Sequence, residues 1–490
     1  MIVSTTSKGL VIPEEKRVTI LLLSIKIKRG KTEKVEKTQF RAYIIDKDPC
    51  VLGELIGAFI KYDGRYFSDN NIIVGNTPKL PKFNDMFIEP LEVTTKNSQA
   101  DYRRQSAIDA QGPKGVLIGV GAIGSVLFDL WNRAGWGNWK LIDKDHLKPH
   151  NLTRHSLGEF WIGEDKATAV AQFGQFNTGI KHEGIVTNGL NIDSNAMQAA
   201  YDGSDFVVDA STTLEYPRLV SFNENLPRHC SVFITPSGNS AVLLVEDESR
   251  NIRLRTLEAQ YYRAILNNEW GEEHLHGNNG TFWSGASCRD ISLKLAFSSI
   301  TAHSAILAEQ IRHVNHSKNA HIKIWEKQNT GKVTYNPITV YNEIEITCNN
   351  WQVFFDEGLK LKLEEIRQAQ LPNETGGIIL GYHDLTHNAI FIVDVLPAPS
   401  DSIGTSTSFT RGIEGMVTVI EEASKKTANV VNYLGEWHSH PRGSSANPSQ
   451  QDLIQLSGLS SLLSLDGLPA LSLIIGENDL NIIIGQYNNE

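Results

Sequence analysis

Near its C-terminus the sequence reads EWHSHPRGSSANPSQQD, from Glu436 to Asp452. His438 and His440 are two residues apart, and residues two apart on a β-strand point to the same face, so both imidazoles can reach one point. The turn-rich PRGSSANPS brings the chain round. PSQQDLIQL then opens a helix with Asp452 in its first turn. Two imidazoles and a carboxylate suit Zn²⁺, and three protein ligands leave a fourth position for water, which is the catalytic rather than the structural habit of zinc. A second group lies in KGVLIGVGAIGSVLFDLW, where Gly119, Gly121 and Gly124 form G-x-G-x-x-G directly after the apolar run Val116 to Val120. Glycines there let the backbone approach a phosphate, and the N–H groups at the following helix start hold it. A second apolar run, Trp139 to Ile142, ends at Asp143, 19 residues past Gly124, where an acid reaches a ribose hydroxyl. On these residues alone, a dinucleotide and ATP are both open.

Both groups need α/β scaffolds. The glycines demand a buried parallel strand before them and a helix after them, which the spacing predicts from Ser125 onward with Val126, Leu127, Leu130, Trp131 and Ala134 on one face. Strand, Gly-rich turn, helix and strand continue to about residue 335, and a second α/β unit, with an apolar strand Ile378 to Leu380 behind Glu374, runs from 344 to 490. Residues 336–343 read as a polar, turn-rich linker. Residues 1–100 alternate apolar and polar positions and predict a small α+β region of unassigned role, and Cys50 within it reads as a structural thiol rather than a nucleophile. The expected organisation is therefore an N-terminal region 1–100, a Rossmann-like domain 101–335, a linker 336–343 and a metal-binding α/β domain 344–490. The chain of 490 residues has a net charge of −10, which argues against a nucleic-acid surface spread over the whole protein. Four unpaired-spacing cysteines (Cys50, Cys230, Cys288, Cys348) predict a reducing compartment. No basic segment followed by a long apolar core opens the chain, so no membrane span and a cytoplasmic location are expected.

The central segment DKDHLKPHNLTRHSLGEFWIGEDKATAV resembles the D-x-D…N-L-x-R-Q…K pattern of the ThiF/MoeB and ubiquitin-activating enzyme family. The resemblance covers about residues 100–310. It implies ATP with Mg²⁺, a ribose contact from Asp143, phosphate contacts from Asn151, Arg154 and Lys166, and a metal-side acid at Asp209. Tyr102-Arg103-Arg104-Gln105 is similar to the family's Y-x-R-Q, which implies that Arg104 reaches the ATP of a partner subunit in a homodimer. One departure stands out: the family's D-C-T-D reads DASTT here, so Thr212 occupies the place of the metal-linked acid. The C-terminal spacing His438-x-His440-Pro441, seven residues, Ser449, two residues, Asp452 resembles the signature of JAMM (JAB/MPN) zinc peptidases over about 344–488. That implies Glu374 as the base that takes a proton from water at the metal, and Ser449 as the hydroxyl that steadies the oxyanion.

Both families act on the C-terminal glycine of ubiquitin-like proteins. The combination resembles bacterial activating-enzyme/JAB fusions and implies a bifunctional enzyme that adenylates such a modifier and cleaves after its glycine. A separate conjugating enzyme is the expected partner. Cys288, after a Gly/Ser loop and at the expected opening of a long helix, is the thioester-forming candidate, because a helix N-terminus and Arg289 lower a thiol's pKa. Cys230 leads into an apolar strand and reads as buried. Two alternatives remain at this point: maturation of a sulfur carrier, and a catalytically dead adenylation domain, signalled by Thr212, that docks the modifier for the peptidase.

Overall fold

The computed structural model describes residues 18–30, 35–68, 86–94, 96–277, 281–283 and 291–486. Two compact units divide the chain, Met1–Lys96 and Asn97–Glu490. In the first, Thr19–Ile27, Lys37–Ile45 and Ile88–Leu91 form an antiparallel sheet. Beside it are the short helix Pro49–Leu55 and a hairpin of Phe59–Tyr62 with Arg65–Ser68.

The second unit holds two sheets. In the first are β1 (Lys114–Ile118), β2 (Asn138–Asp143), β3 (Glu183–Val186), β4 (Phe206–Asp209), β5 (Arg228–Ile234), β6 (Ser240–Val245), β7 (His321–Lys327) and β8 (Val333–Ile338). Their spatial order is β8-β7-β6-β5-β4-β1-β2-β3. The five strands β5 to β3 run parallel in the nucleotide-binding order, and β6, β7 and β8 extend the sheet antiparallel. Val116, Leu117 and Ile118 are at most 3 % exposed, because helices cover both faces of a parallel sheet. Helix α1 (Ala122–Arg133) begins three residues before the expected Ser125. The reason lies in the glycines. Gly119 has φ +80°, which turns the chain sharply out of β1, and a Cβ on Gly124 would collide with the Gly119 carbonyl oxygen, so the helix can start inside the motif. Ile123, Val126, Leu127, Phe128 and Trp131 form its buried face, and Trp131 stacks on Trp139 of β2 at 4.5 Å.

The second sheet has the order β9-β10-β12-β11-β13-β14-β15. Its strands are β9 (Glu343–Cys348), β10 (Trp351–Asp356), β11 (Gly376–Asp384), β12 (Ala389–Pro397), β13 (Asn432–Ser439), β14 (Ala470–Ile475) and β15 (Leu480–Gly485). Helices α5 (Glu357–Gln370), α6 (Met416–Lys426) and α7 (Gln450–Leu463) accompany it. Between the sheets runs α3 (Leu254–Asn267), while α2 (Lys166–Thr178) and α4 (Phe297–Val314) belong to the first sheet's layers.

Helix α3 meets the second sheet through apolar, ion-paired and hydrogen-bonded side chains. Arg255 pairs with Glu343 at 2.7 Å and lies over the Phe354 ring at 4.0 Å. Arg263 makes a two-pronged bond to Asp356, both at 2.7 Å. Asn267 donates to Asp394 at 2.7 Å. Leu257 and Tyr262 share one core with Phe354, Tyr382 and Phe391 of the second sheet. The segment 336–343, expected as a linker, ends β8 at Ile338, exchanges two 2.9 Å hydrogen bonds between Tyr341 and Gln260, and enters β9 at Glu343. Arg263 and Asp356 are 14 % and 2 % exposed, so removing one partner strands a buried charge. Asp356→Ala is therefore expected to destabilise this unit by about 3–5 kcal/mol, measured by denaturant unfolding; a loss below ~1 kcal/mol would show the pair to be dispensable.

Candidate functional site

The end of β13 carries His438, and His440 follows directly after the strand. Asp452 sits in the first turn of α7, and ligand atoms of the three side chains lie within 4.8 Å of one another. Each ligand is aimed by a second contact. His440 Nδ1–H donates to the Ser445 carbonyl at 2.6 Å, which leaves its Nε2 lone pair for a metal. His438 Nε2 is buried and, though 3.2 Å from Asp452 Oδ1, has no hydrogen-bond partner of acceptable geometry. A buried imidazole nitrogen without a partner is costly, and a cation between these three residues removes that cost. Ser449 caps α7, and its backbone N–H donates to Asp452 Oδ2 at 2.7 Å. Burial pushes the Asp452 carboxyl up, but His438 and the Ser449 contacts outweigh this and hold it below the usual carboxylate range. The donor set and its ionisation fit a divalent zinc-like ion.

Glu374 is placed by strand register. Gly376 of β11 lies opposite His438, and Thr375 and Ser439 exchange hydrogen bonds at 3.1 and 2.7 Å. Continuing that register sets Glu374 opposite His440. Its own N–H donates to Thr405 at 2.8 Å, next to the small hairpin Ile403–Gly404/Phe409–Thr410. Burial raises the Glu374 carboxyl above its ordinary value; His440 and His438 pull it down and Asp452 pushes it up. A half-buried carboxylate beside three side chains that could hold a metal is the geometry of a proton acceptor.

The second candidate site forms where β1 meets α1. Gly121 caps α1 and Val120 N–H donates to Asp143 Oδ2 at 3.0 Å. Burial raises the Asp143 carboxyl, and the Lys166 ammonium opposes that. Lys166, 8 % exposed, opens α2 and pairs with Asp145 at 3.2 Å. Asn151, Arg154 and Lys166 line one cavity with Gly121 and Thr212. Two cations, an amide and a glycine turn converging on one hollow can hold a polyphosphate.

The ThiF family profile matches residues 98–227, and that of prokaryotic homologs of the JAB domain matches residues 357–482. The chain is a ThiF–JAB fusion. It is 36 % identical over 89 residues to a CD-NTase/cGAS isopeptidase of Enterobacter hormaechei subsp. hoffmannii, a stretch covering 18 % of this chain and 47 % of that one. A probable metalloprotease, y4qB, of Sinorhizobium fredii is 33 % identical over 79 residues, 16 % of this chain and 48 % of that one. The ATP-dependent ubiquitin transferase-like protein Cap2 of Enterobacter hormaechei subsp. hoffmannii is 34 % identical over 88 residues, 17 % of this chain and 15 % of that one. The fusion thus spans about half the length of the first two curated relatives and less of the third.

Not every expected residue of the fusion reaches its site. Asp209 is fully buried, with Oδ1 accepting from the Ser211 hydroxyl at 2.6 Å and Oδ2 from Ser231 at 2.8 Å, and it does not line the cavity. Thr212 does line it, with an unusual φ of +59°. Arg104 is exposed and pairs with Asp101 at 2.7 Å, away from the cavity of its own chain. Cys230 is fully buried, which pushes its thiol up and keeps it inert. Cys288 lies outside the described residues, and the long helix it was expected to open begins only at Phe297, after the short strand Ile291–Leu293. Two supporting residues escaped sequence reasoning. His155, which burial pushes down to about 4 and so keeps neutral, bonds the Val120 carbonyl at 2.8 Å and fixes the glycine turn. Arg367 of α5 donates to the carbonyls of His440 and Pro441 at 2.9 and 3.1 Å, holding the turn after the metal strand. Both act across long sequence separations, which no local motif encodes.

Proposed function

We propose that the fusion is a bifunctional enzyme acting on a ubiquitin-like protein, in which an ATP-dependent adenylation domain (101–335) activates the C-terminal glycine and a zinc peptidase domain (344–490) cleaves after it. The observation that carries this reading is the convergence of His438, His440 and Asp452 with Glu374 set across the register from them. Zinc held there would lower the pKa of a water and polarise the scissile carbonyl. Glu374 would take the proton released by the attacking water and pass it to the leaving amine. The Ser449 hydroxyl accepts from the Asp452 N–H at 3.3 Å, and its own proton, which faces the Asp452 carboxylate, would have to turn to donate to the developing oxyanion. In the adenylation domain Arg154 and Lys166 would stabilise the charge that develops at the α-phosphate, and Asp143 would hold the ribose. A homodimer that brings Arg104 to a neighbouring ATP, a separate conjugating enzyme and a cytoplasmic location complete the proposal. Among the described residues no helix is long and apolar enough to cross a membrane.

The experiment is elemental analysis of the purified chain. About one zinc per chain is expected, and His438→Ala should lose it together with the peptidase activity; a metal-free, fully active wild type would overturn the reading. Thioester formation is tested separately. With ATP and Mg²⁺, a reductant-sensitive adduct with the modifier should form in the wild type and in Cys230→Ala but not in Cys288→Ala. An adduct that persists in Cys288→Ala removes that residue from the mechanism.

A second reading is favoured by Thr212, which stands in the place of an acid, and by Asp209, whose two oxygens both accept from serine hydroxyls. In it the adenylation domain docks the modifier without activating it. ATP–pyrophosphate exchange distinguishes the two.

A further inference from the structure

The cavity beside the glycine turn has a volume of about 670 Å³, within the ~300–1,000 Å³ that houses small ligands. One end is cationic, with Arg154 and Lys166. Much of the remaining lining is one apolar cluster: Phe233, Leu244, Leu254 and Tyr261 come from the Rossmann-like part, and Ala428 and Val430 from the JAB part, with Glu258 among them held by Arg218. Ala428 and Val430 belong to the turn between α6 and β13. The turn is firmly held. Thr427 is fully buried and its hydroxyl donates to the Ala423 carbonyl at 2.8 Å, while Asn429 N–H donates to Ser424 at 2.7 Å.

Sheet order gives the direction in which a bound molecule runs. β2, with Asp143 at its end, lies on one side of β1, and β4, β5 and β6 lie on the other. Asp143 does not line the cavity, whereas residues of β5 and β6 do. A nucleoside whose ribose meets Asp143 leaves the phosphate cradle toward β2. The acyl group joined to its α-phosphate leaves the other way, into the apolar cluster. Glycines alone would leave that lining against water, whereas an apolar side chain removes both surfaces from it.

We propose that the JAB part forms one wall of the acyl side of the adenylation centre, and that this subsite takes a peptide C-terminus with a large apolar side chain just before the terminal glycine. The proposal rests on the adenylation reading for the chemistry but not for the binding. The metal site is remote from this wall, since Asn432 and His438 are six residues apart on one strand, ~20 Å at ~3.3 Å per residue. A substitution in the turn therefore leaves the peptidase centre untouched.

The test uses the full chain and fluorescein-labelled heptapeptides ending in Gly, with Leu, Phe, Ser or Asp at the position just before that glycine. Anisotropy reads binding, and ATP–pyrophosphate exchange reads chemistry. Leu and Phe peptides are expected to bind at least tenfold more tightly than Ser and Asp peptides. Ala428→Phe fills the cavity from the JAB side and abolishes the preference, with the KM for ATP and the peptidase turnover unchanged. Val430→Ala adds no bulk and moves the optimum from Leu toward Phe, so the wall is tested even where Ala428→Phe fails to fold. Equal affinity across the panel, or a preference that survives both substitutions, overturns the inference. A preference that the variants alter, with no exchange by any peptide, supports the subsite and sinks adenylation. Exchange by every peptide without preference supports adenylation and sinks the subsite.

Discussion

Glu374→Gln is expected to retain about one zinc per chain and to lower peptidase turnover by about 10²–10⁴-fold, the usual contribution of a positioned general base. The substitution keeps the shape of the side chain and removes only its capacity to accept a proton. Glu374 is not one of the three converging ligands, so the donor set of His438, His440 and Asp452 is intact in the variant. Its backbone is tied to Thr405, and the neighbouring Thr375–Ser439 bonds fix the register, so the residue is held without its carboxylate. Asp452→Asn should behave differently, because it removes the ligand charge itself, and metal and activity should fall together. The measurements are zinc content by elemental analysis and cleavage of a modifier carrying an extension beyond its glycine. Full activity in Glu374→Gln would remove the carboxylate from the base role, and a loss of zinc would place it among the ligands.

The convergence of His438, His440 and Asp452 was legible because the three lie within fifteen residues on a strand, a turn and a helix start, where spacing and periodicity determine the geometry. Glu374 sits on a different strand, and its place follows from the pairing of β11 with β13, which the resemblance supplied and the residues alone could not. The Rossmann-like strand–turn–helix was legible for the same local reason, and only the helix start shifted, because Gly121 and Gly124 are themselves compatible with the first turn. What sequence could not give is the joint between the two α/β parts. Arg255, Thr256 and Arg263 look like ordinary polar helix positions, yet they are spent on Glu343 and Asp356 some ninety residues on. That pairing makes the expected linker 336–343 part of a shared core. Asp209 shows the converse: the motif implied a metal-side acid, but Ser211 and Ser231 occupy both its oxygens. Ser211 is a local neighbour, but Ser231 carries no signal until β4 and β5 are known to be neighbours.

Arg154→Ala and Lys166→Ala are each expected to lower modifier-dependent ATP–pyrophosphate exchange by about 10²–10³-fold, the scale for removing one preorganised charge from a developing anion. Both side chains line the cavity, and both positions are set by structure that the substitutions leave in place. Lys166 is the first residue of α2, fixed by its backbone bond to Asp145. Arg154 adjoins His155, whose imidazole anchors the Val120 carbonyl. Truncation at either position therefore removes charge and leaves the glycine turn intact. Charge neutralisation at Asp145 discriminates further. Asp145 is the partner of Lys166, so Asp145→Asn should free the ammonium and change exchange far less than loss of Lys166 itself. Peptidase turnover should be unaltered in all three variants, because His438, His440 and Asp452 lie on and beside the other sheet. The assay pairs the purified chain with a ubiquitin-like protein from the same genome. Exchange in Arg154→Ala or Lys166→Ala equal to that of the wild type would refute the assignment of these residues. No exchange by the wild type itself would decide for the docking reading that Thr212 favours.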